Sequence, residues 1–171
     1  MREIKFKAFH KSSKKIFDVY SFTDTEVIEN STDGIFTSDT LPALREECEL
    51  LQYTELKDCT KFEELSEQEQ QFWLIKNKKE DWKGKEIYEG DIVEIIFNED
   101  YIDNNDYIEI EEGSIKKGLI IFYDGGFFFK LKNKKFFLFL YDICSVDIEI
   151  KILGNIYQNS ELLERKEWMN W

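Results

Sequence analysis

Histidine and proline are almost missing from this chain, with one of each in 171 residues. His10 is the single imidazole, so the commonest general base and metal ligand is nearly unrepresented. No Ser or Cys nucleophile shares an evident motif with His10, which reads as a surface or packing residue. Cysteine is sparse and odd in number. Cys48, Cys59 and Cys144 stand far apart with no Cys-x-x-Cys pair, which excludes a zinc knuckle or a dithiol redox motif. Free thiols suit an intracellular protein. No long hydrophobic run exists either. The longest apolar-rich run, Phe136–Tyr141, is far too short to span a bilayer. The opening Met1-Arg-Glu-Ile-Lys-Phe-Lys is charged and alternating and lacks the apolar core of a secretion signal. The expectation is a cytoplasmic protein without membrane contact.

Positive charge is in the minority: 23 basic against 36 acidic residues, a net charge of −13. Such a chain is repelled by phosphate backbones and anionic membranes, which opposes direct nucleic-acid binding. It suits a basic protein partner, and it also keeps a protein soluble. What the chain does have is core material. Hydrophobic residues make up 42 %, and the aromatics are mainly 15 Phe and 8 Tyr. That is enough for one compact unit.

Short alternating segments separated by turns dominate. Ile4–Phe9, Ile16–Phe22, Thr25–Glu29, Glu49–Thr54, Ile87–Phe97, Tyr107–Glu111, Ile115–Tyr123, Phe127–Leu131, Phe136–Asp142 and Val146–Tyr157 read as strands. Thr32-Asp33-Gly34 reads as a turn and Ile35–Thr37 as a further strand. Thr40–Arg45 reads as a single helical turn capped by Thr40. Gly90-Asp91 is a turn embedded in a strand, and Asp124-Gly125-Gly126 is a hairpin signal. One helix is expected over Glu67–Asn77. Ser66 and Glu69 form a capping box at its start, with acidic residues early and Lys76, Lys78 and Lys79 late. Asn159 or Ser160 caps a short C-terminal helix through Trp168. The expected fold is mainly β (α+β): a small antiparallel barrel or coiled sheet with one inserted helix and a short C-terminal one. Its parts are an N-terminal β-rich part, 1–58, a helical insertion, 59–82, and a barrel-like part with the C-terminal helix, 83–171.

Several segments together carry a family resemblance. They are Arg2-Glu-Ile-Lys-Phe-Lys-Ala-Phe9, Leu51-Gln-Tyr-Thr54 and Leu56-Lys-Asp58. Gly84-Lys-Glu-Ile-Tyr-Glu-Gly-Asp-Ile-Val93 is the strongest. Then come Gly118-Leu-Ile-Ile-Phe-Tyr-Asp-Gly-Gly-Phe127 and Leu153-Gly-Asn-Ile-Tyr157, with Asn159, Glu161 and Leu162. In this ordered set the chain resembles the YopX family of phage and prophage proteins. The chain departs from that family's pattern in three places. Glu55 stands where glycine is usual, His10 stands where an acidic residue is usual, and Cys59–Trp82 interrupts two segments that are normally almost adjacent. The resemblance implies an SH3-like or related small barrel, encoded on a mobile element and working in a bacterial host's cytoplasm. It implies no enzyme activity, no cofactor and no catalytic residues.

Four groups are candidate sites. The first is the acidic run Glu99, Asp100, Asp103, Asp106, Glu109, Glu111 and Glu112. An EF-hand needs Gly at its sixth position and Glu at its twelfth. From Asp103 these are Ile108 and Ser114, and from Asp100 the sixth is Asn105, so calcium binding fails and a solvated or partner-facing loop remains. The second is the inserted helix, with Glu63, Glu64, Glu67, Glu69, Phe72 and Trp73, either packed on the barrel or facing a partner. The third is Trp168 and Trp171, an oligomer or partner surface unless the terminal helix docks on its own domain. The fourth is Phe127 and Phe129 with Lys130, Lys132, Lys134 and Lys135, a stacking platform for single-stranded nucleic acid unless the phenylalanines are core. The partner classes that follow are a basic host or phage protein, such as a nuclease or CRISPR effector, a second copy of the chain, and, against the charge, nucleic acid. The first makes the chain an acidic inhibitor of a host defence system of the anti-CRISPR or anti-restriction type.

Overall fold

Period-two alternation makes strands, and the computed structural model shows which of them pair. It describes residues 5–24, 26–29, 43–75, 77–103, 108–131 and 137–162. The expected turn at Thr32-Asp33-Gly34, the strand Ile35–Thr37 and the Thr40 cap lie outside these. Strands β1 (Phe6–His10), β2 (Lys15–Phe22), β3 (Glu26–Glu29), β4 (Ala43–Leu44), β5 (Cys48–Lys57) and β6 (Glu86–Tyr88) form one antiparallel sheet, ordered β4-β3-β2-β1-β5-β6. The helical turn expected up to Arg45 is corrected here. Ala43–Leu44 is extended and pairs with β3, and a single 3-10 turn follows at Arg45–Glu47. Arg45 closes that turn by donating to the Cys48 carbonyl at 2.9 Å.

The second sheet follows the insertion. It contains β7 (Asp91–Phe97), β10 (Ile115–Tyr123), β11 (Gly126–Leu131), β12 (Phe137–Phe139) and β13 (Ile148–Asn155). Between β7 and β10 lies a separate hairpin of β8 (Tyr101–Asp103) and β9 (Ile108–Ile110). The strand order is β12-β11-β10-β7-β13, all antiparallel. A first strand, an inserted hairpin, a three-stranded meander, a helical turn and a last strand back beside the first is the connectivity of an SH3-like barrel. The mainly β, antiparallel expectation therefore describes the molecule. The expected strand Phe136–Asp142 stops early, at Phe139, and Leu140–Ile143 forms the helical turn α2, whose Leu140 is buried in the core. The inward positions Val93, Ile95, Phe97, Ile120, Phe127 and Phe129 fill that core. Their burial supplies the main stabilisation of this half, at about 25 cal/mol per Å².

The two sheets meet at the Gly90-Asp91 turn. Its expected place inside one strand is corrected, because the chain leaves one sheet at Tyr88 and enters the other at Asp91. Gly90 has φ +85, a conformation that costs other residues about 1–2 kcal/mol. It donates to the Ile120 carbonyl at 2.9 Å and accepts from Ile156 at 2.8 Å, so it is tied to both β10 and the end of β13. A second tie is Asp58, which is almost wholly buried. Its carboxylate accepts from the backbone of Thr60, from the Thr60 hydroxyl at 2.6 Å and from the Lys85 backbone at 2.7 Å. A longer bond from Ile152 in β13, at 3.4 Å, joins them. Gly84 must be glycine here: it has φ +100, and a Cβ would lie 1.9 Å from the Asp58 carbonyl oxygen. Phe9 of β1 and Tyr157 beyond β13 stack at 4.7 Å and close the seam.

Candidate functional site

The insertion folds as expected at its start and stops sooner at its end. Helix α1 spans Glu67–Leu74, not Glu67–Asn77. Both halves of the capping box are present. The Ser66 hydroxyl accepts from the Glu69 backbone at 3.3 Å, and Glu69 accepts from the Ser66 backbone at 2.9 Å. Hydrogen bonds from Lys85 and from Ser66 hold the Glu69 carboxyl down, to about 2. At the C-terminal end Asn77 donates to the Trp73 carbonyl from its backbone N–H and its side-chain amide, both at 3.1 Å, and aromatic packing braces the helix. Trp73 lies edge-on to Trp82 at 5.0 Å and donates its indole N–H to the Lys78 carbonyl. Trp82 also meets Phe62 at 6.3 Å and donates to the Thr60 carbonyl at 2.8 Å. Buried Phe62 and Leu65 anchor the stretch before the helix.

This arrangement changes what the predicted helix residues can do. Glu63 pairs with Lys79 at 2.6 Å and Glu69 with Lys85 at 2.8 Å, so two of the four carboxylates are already neutralised. Trp73 faces its own chain, whereas Phe72 is 57 % exposed. Leu74 and Ile75 are 50 % and 73 % exposed. The insertion therefore exposes three apolar side chains beside its charged ones.

The acidic run becomes the β8–β9 hairpin and its flanks. Buried Tyr101 and Ile110 plant it in the barrel core. Glu99 accepts from the Asp147 backbone at 2.6 Å, and Asp100 accepts from the Glu112 backbone at 2.8 Å. These two carboxylates fix the hairpin's base. Glu109, Glu111 and Glu112 are exposed. Asp103 lies in β8, its side chain is outside what is described, and Asp106 lies outside the described residues altogether.

The Phe/Lys platform is corrected at its phenylalanines. Phe127 and Phe129 are 1 % and 0 % exposed, because period-two alternation on β11 turns both inward. Neither presents a ring to a base. Lys130 is half-buried on the same strand, and burial lowers its ammonium pKa. Lys132, Lys134, Lys135, Trp168 and Trp171 lie outside the described residues, as does the C-terminal helix beyond a 3-10 turn at Ser160–Leu162.

The structure also brings together residues that the sequence reading did not single out. A cleft of 220 Å³ at the seam is lined by Lys7, Tyr88, Asp91, Asn155 and Asn159, among others. Asp91 accepts from the Tyr88 backbone at 2.8 Å and the Asn155 amide at 3.1 Å. Burial outweighs these bonds and pushes its carboxyl up to about 6. Lys7 sits 4.4 Å above the Tyr88 ring. On the neighbouring surface Lys5 pairs with Glu86 at 2.6 Å, and the Tyr88 hydroxyl donates to the same carboxylate at 2.8 Å. Burial alone would raise Glu86, but these partners outweigh it and hold it below the usual range. Burial and the Glu86 charge raise the Tyr88 phenol. The signal for Asp91 and Asn155 was in the sequence: they are the polar residues of Gly90-Asp-Ile-Val93 and Gly154-Asn-Ile-Tyr157, and they face each other across β7 and β13.

Thiol chemistry finds no support among the described residues. Burial raises all three cysteines, Cys144 to about 11, and Asp58 and Glu149 add to the shift at Cys59. His10 accepts from the Ser13 backbone at 3.2 Å and closes the β1–β2 turn. No group of three or more metal-ligating side chains occurs among the described residues. Nor, among them, is any helix long and apolar enough to cross a membrane.

Fold and site together define a β-rich scaffold of SH3-like connectivity that carries a helical protrusion and an acidic hairpin. Residues 79–164, half of the chain, match the family described as YopX protein, and the chain belongs to that family. The match begins after α1, so the protrusion lies outside it. A similar solved structure is the crystal structure of protein EF1440 from Enterococcus faecalis. It is 19 % identical, with 95 % of this chain and 99 % of that chain covered and a TM-score of 0.49. No curated protein matches the chain.

Proposed function

We propose that this YopX-family protein is a non-enzymatic, phage- or prophage-encoded protein-binding module whose partner is basic. The observation that carries the reading is the acidic hairpin: from Asn98 to Ser114 there are seven acidic residues and no Lys or Arg. The core holds Tyr101 and Ile110, on the two described strands of that segment. Glu109, Glu111 and Glu112, exposed on β9 and its flank, steer a cationic surface toward that segment. In the most concrete version, the partner is a host defence protein that handles nucleic acid, a nuclease or CRISPR effector, with the carboxylates standing in for phosphates in its basic channel.

The test is affinity capture from host lysate at low and high salt, beside a Glu109→Lys/Glu111→Lys/Glu112→Lys variant. The expected result is a basic nucleic-acid-handling protein, retained at about 50 mM salt and released at about 500 mM, where charge contacts are screened within about 4 Å. The variant captures none of it. Capture of no such protein, or capture by wild type and variant alike, overturns the reading.

A further inference from the structure

We propose that the seam cleft binds a free α-amino acid with a small branched apolar side chain, held by its two charges between Lys7 and Asp91. Size restricts the ligand first. The cleft's 220 Å³ equals the volume of about seven waters at about 30 Å³ each. That suits a molecule the size of valine or leucine. It falls below the roughly 300–1,000 Å³ of sites for drug-sized ligands, so a nucleotide is too large for it.

Charge selects among ligands of that size. Lys7 on β1 is half-buried, with its ammonium 4.4 Å above the Tyr88 ring. It is in no ion pair among the described residues, and its cross-strand neighbour Asp18 is exposed and not bonded to it. Asp91 opens β7. Its carboxylate accepts one bond on each oxygen, from the Tyr88 backbone and from the Asn155 amide. A carboxylate has about four acceptor sites, so others stay open. The Lys7 charge acts on Asp91 without a hydrogen bond between the two. Lys7 thus lacks an anionic acceptor and Asp91 a cationic donor. A ligand carboxylate supplies the first and its α-ammonium the second. A lone anion would satisfy Lys7 but bring negative charge to Asp91, and a lone cation would do the reverse, so the cleft favours a zwitterion. Asn159 adds a donor for the carboxylate end. Its side-chain oxygen accepts from the Asn155 backbone at 3.2 Å, and its amide N–H groups have no partner among the described residues. Gly154 lets Asn159 lie over β13, because a Cβ there would come within 2.6 Å of that oxygen. Ile16, Leu51 and Ile152 form the apolar wall, where an aliphatic side chain loses its contact with water.

Amide NMR spectra of the full chain, titrated with L-leucine from about 0.05 to about 10 mM, test this. The expected result is saturable shifts at Tyr88, Asp91, Gly154 and Asn155, with a dissociation constant on the order of 0.3 mM for so small a ligand. Isocaproate lacks the ammonium and isoamylamine lacks the carboxylate, and each binds at least about tenfold more weakly than leucine. Lys7→Met keeps an unbranched stem over Tyr88, and Asp91→Asn keeps an acceptor for the Tyr88 N–H. Both retain the wild-type spectrum away from the cleft, and each weakens leucine at least about tenfold. The Glu109→Lys/Glu111→Lys/Glu112→Lys variant binds leucine as the wild type does, so this inference and the basic-partner reading fail separately. Absence of shifts at about 10 mM leucine overturns the inference. So does a singly charged analogue that binds as tightly as leucine, or unchanged leucine affinity in Lys7→Met or Asp91→Asn.

Discussion

Glu55 shows how a single residue reports the backbone it sits on. It has φ +71 where the pairing of β5 with β6 shifts register between Tyr53 and Lys57. The bulge places this residue in left-handed backbone, where a glutamate is strained and a glycine is not. Glycine removes a penalty of about 1–2 kcal/mol but loses more chain entropy, about 0.5–1 kcal/mol. Glu55→Gly is therefore expected to raise the unfolding free energy by about 0.5–1 kcal/mol in urea titrations, whereas Glu55→Ala does not. Equal stability of the two variants would sink the strain account. Asp91 is the residue to examine by pH. Its folded pKa, about 6, lies above the ordinary 3.8, so the native state holds the proton more tightly than the unfolded chain. Stability associated with this group is thus greatest at low pH and is lost as pH rises from about 4 through about 6. Relative to Asp91→Asn, the wild type is expected to lose about 2 kcal/mol between about pH 4.5 and about pH 7.5. A constant gap between the two proteins would show that the carboxyl is not perturbed.

At the scale of elements, legibility followed the locality of the signal. The start of α1 was readable because Ser66 and Glu69 satisfy each other within one turn. Its end was not, because the late lysines allowed a longer helix, whereas Asn77 closes onto the Trp73 carbonyl and Trp73 packs on Trp82, nine residues beyond it. Phe127 and Phe129 share one face of β11, a pattern that allowed core or platform, and that face packs on Val93, Ile95, Phe97 and Ile120 of other strands. Burial contacts from outside the segment, absent from local sequence, settle such choices. The dependence of α1 on Trp82 is measurable by hydrogen exchange. Trp82→Ala removes the clamp and the bond to Thr60, so the amides of Glu67–Leu74 should exchange at least about tenfold faster while those of β7 and β10 hold their protection. Trp82→Phe keeps a ring and loses only the N–H, and it should fall between. Uniform loss of protection across the chain would mean that the insertion is part of the barrel's own cooperative unit.

Over the whole molecule, the two-sheet arrangement was the least legible feature, since strands on either side of Gly90-Asp91 share one period and nothing in it marks a change of sheet. The net charge was legible from the start, and it has a consequence for the intact fold. The exposed pairs Lys11–Glu49, Lys85–Glu69 and Lys117–Glu94 are attractive, but pairs of this kind hold little net stability and lose it in salt. Against them stands an excess of 13 negative charges, which repel one another in the compact state and relax on unfolding. If repulsion dominates, sodium chloride stabilises the fold by shortening the screening length from about 20 Å to about 6 Å between low and moderate salt. A gain of about 1 kcal/mol corresponds to about 2–4 °C in a chain of this size. The expected outcome is a melting temperature that rises by about that much between about 20 and about 300 mM sodium chloride. A flat or falling curve would mean that the surface pairs, not the net charge, govern the electrostatics of this protein.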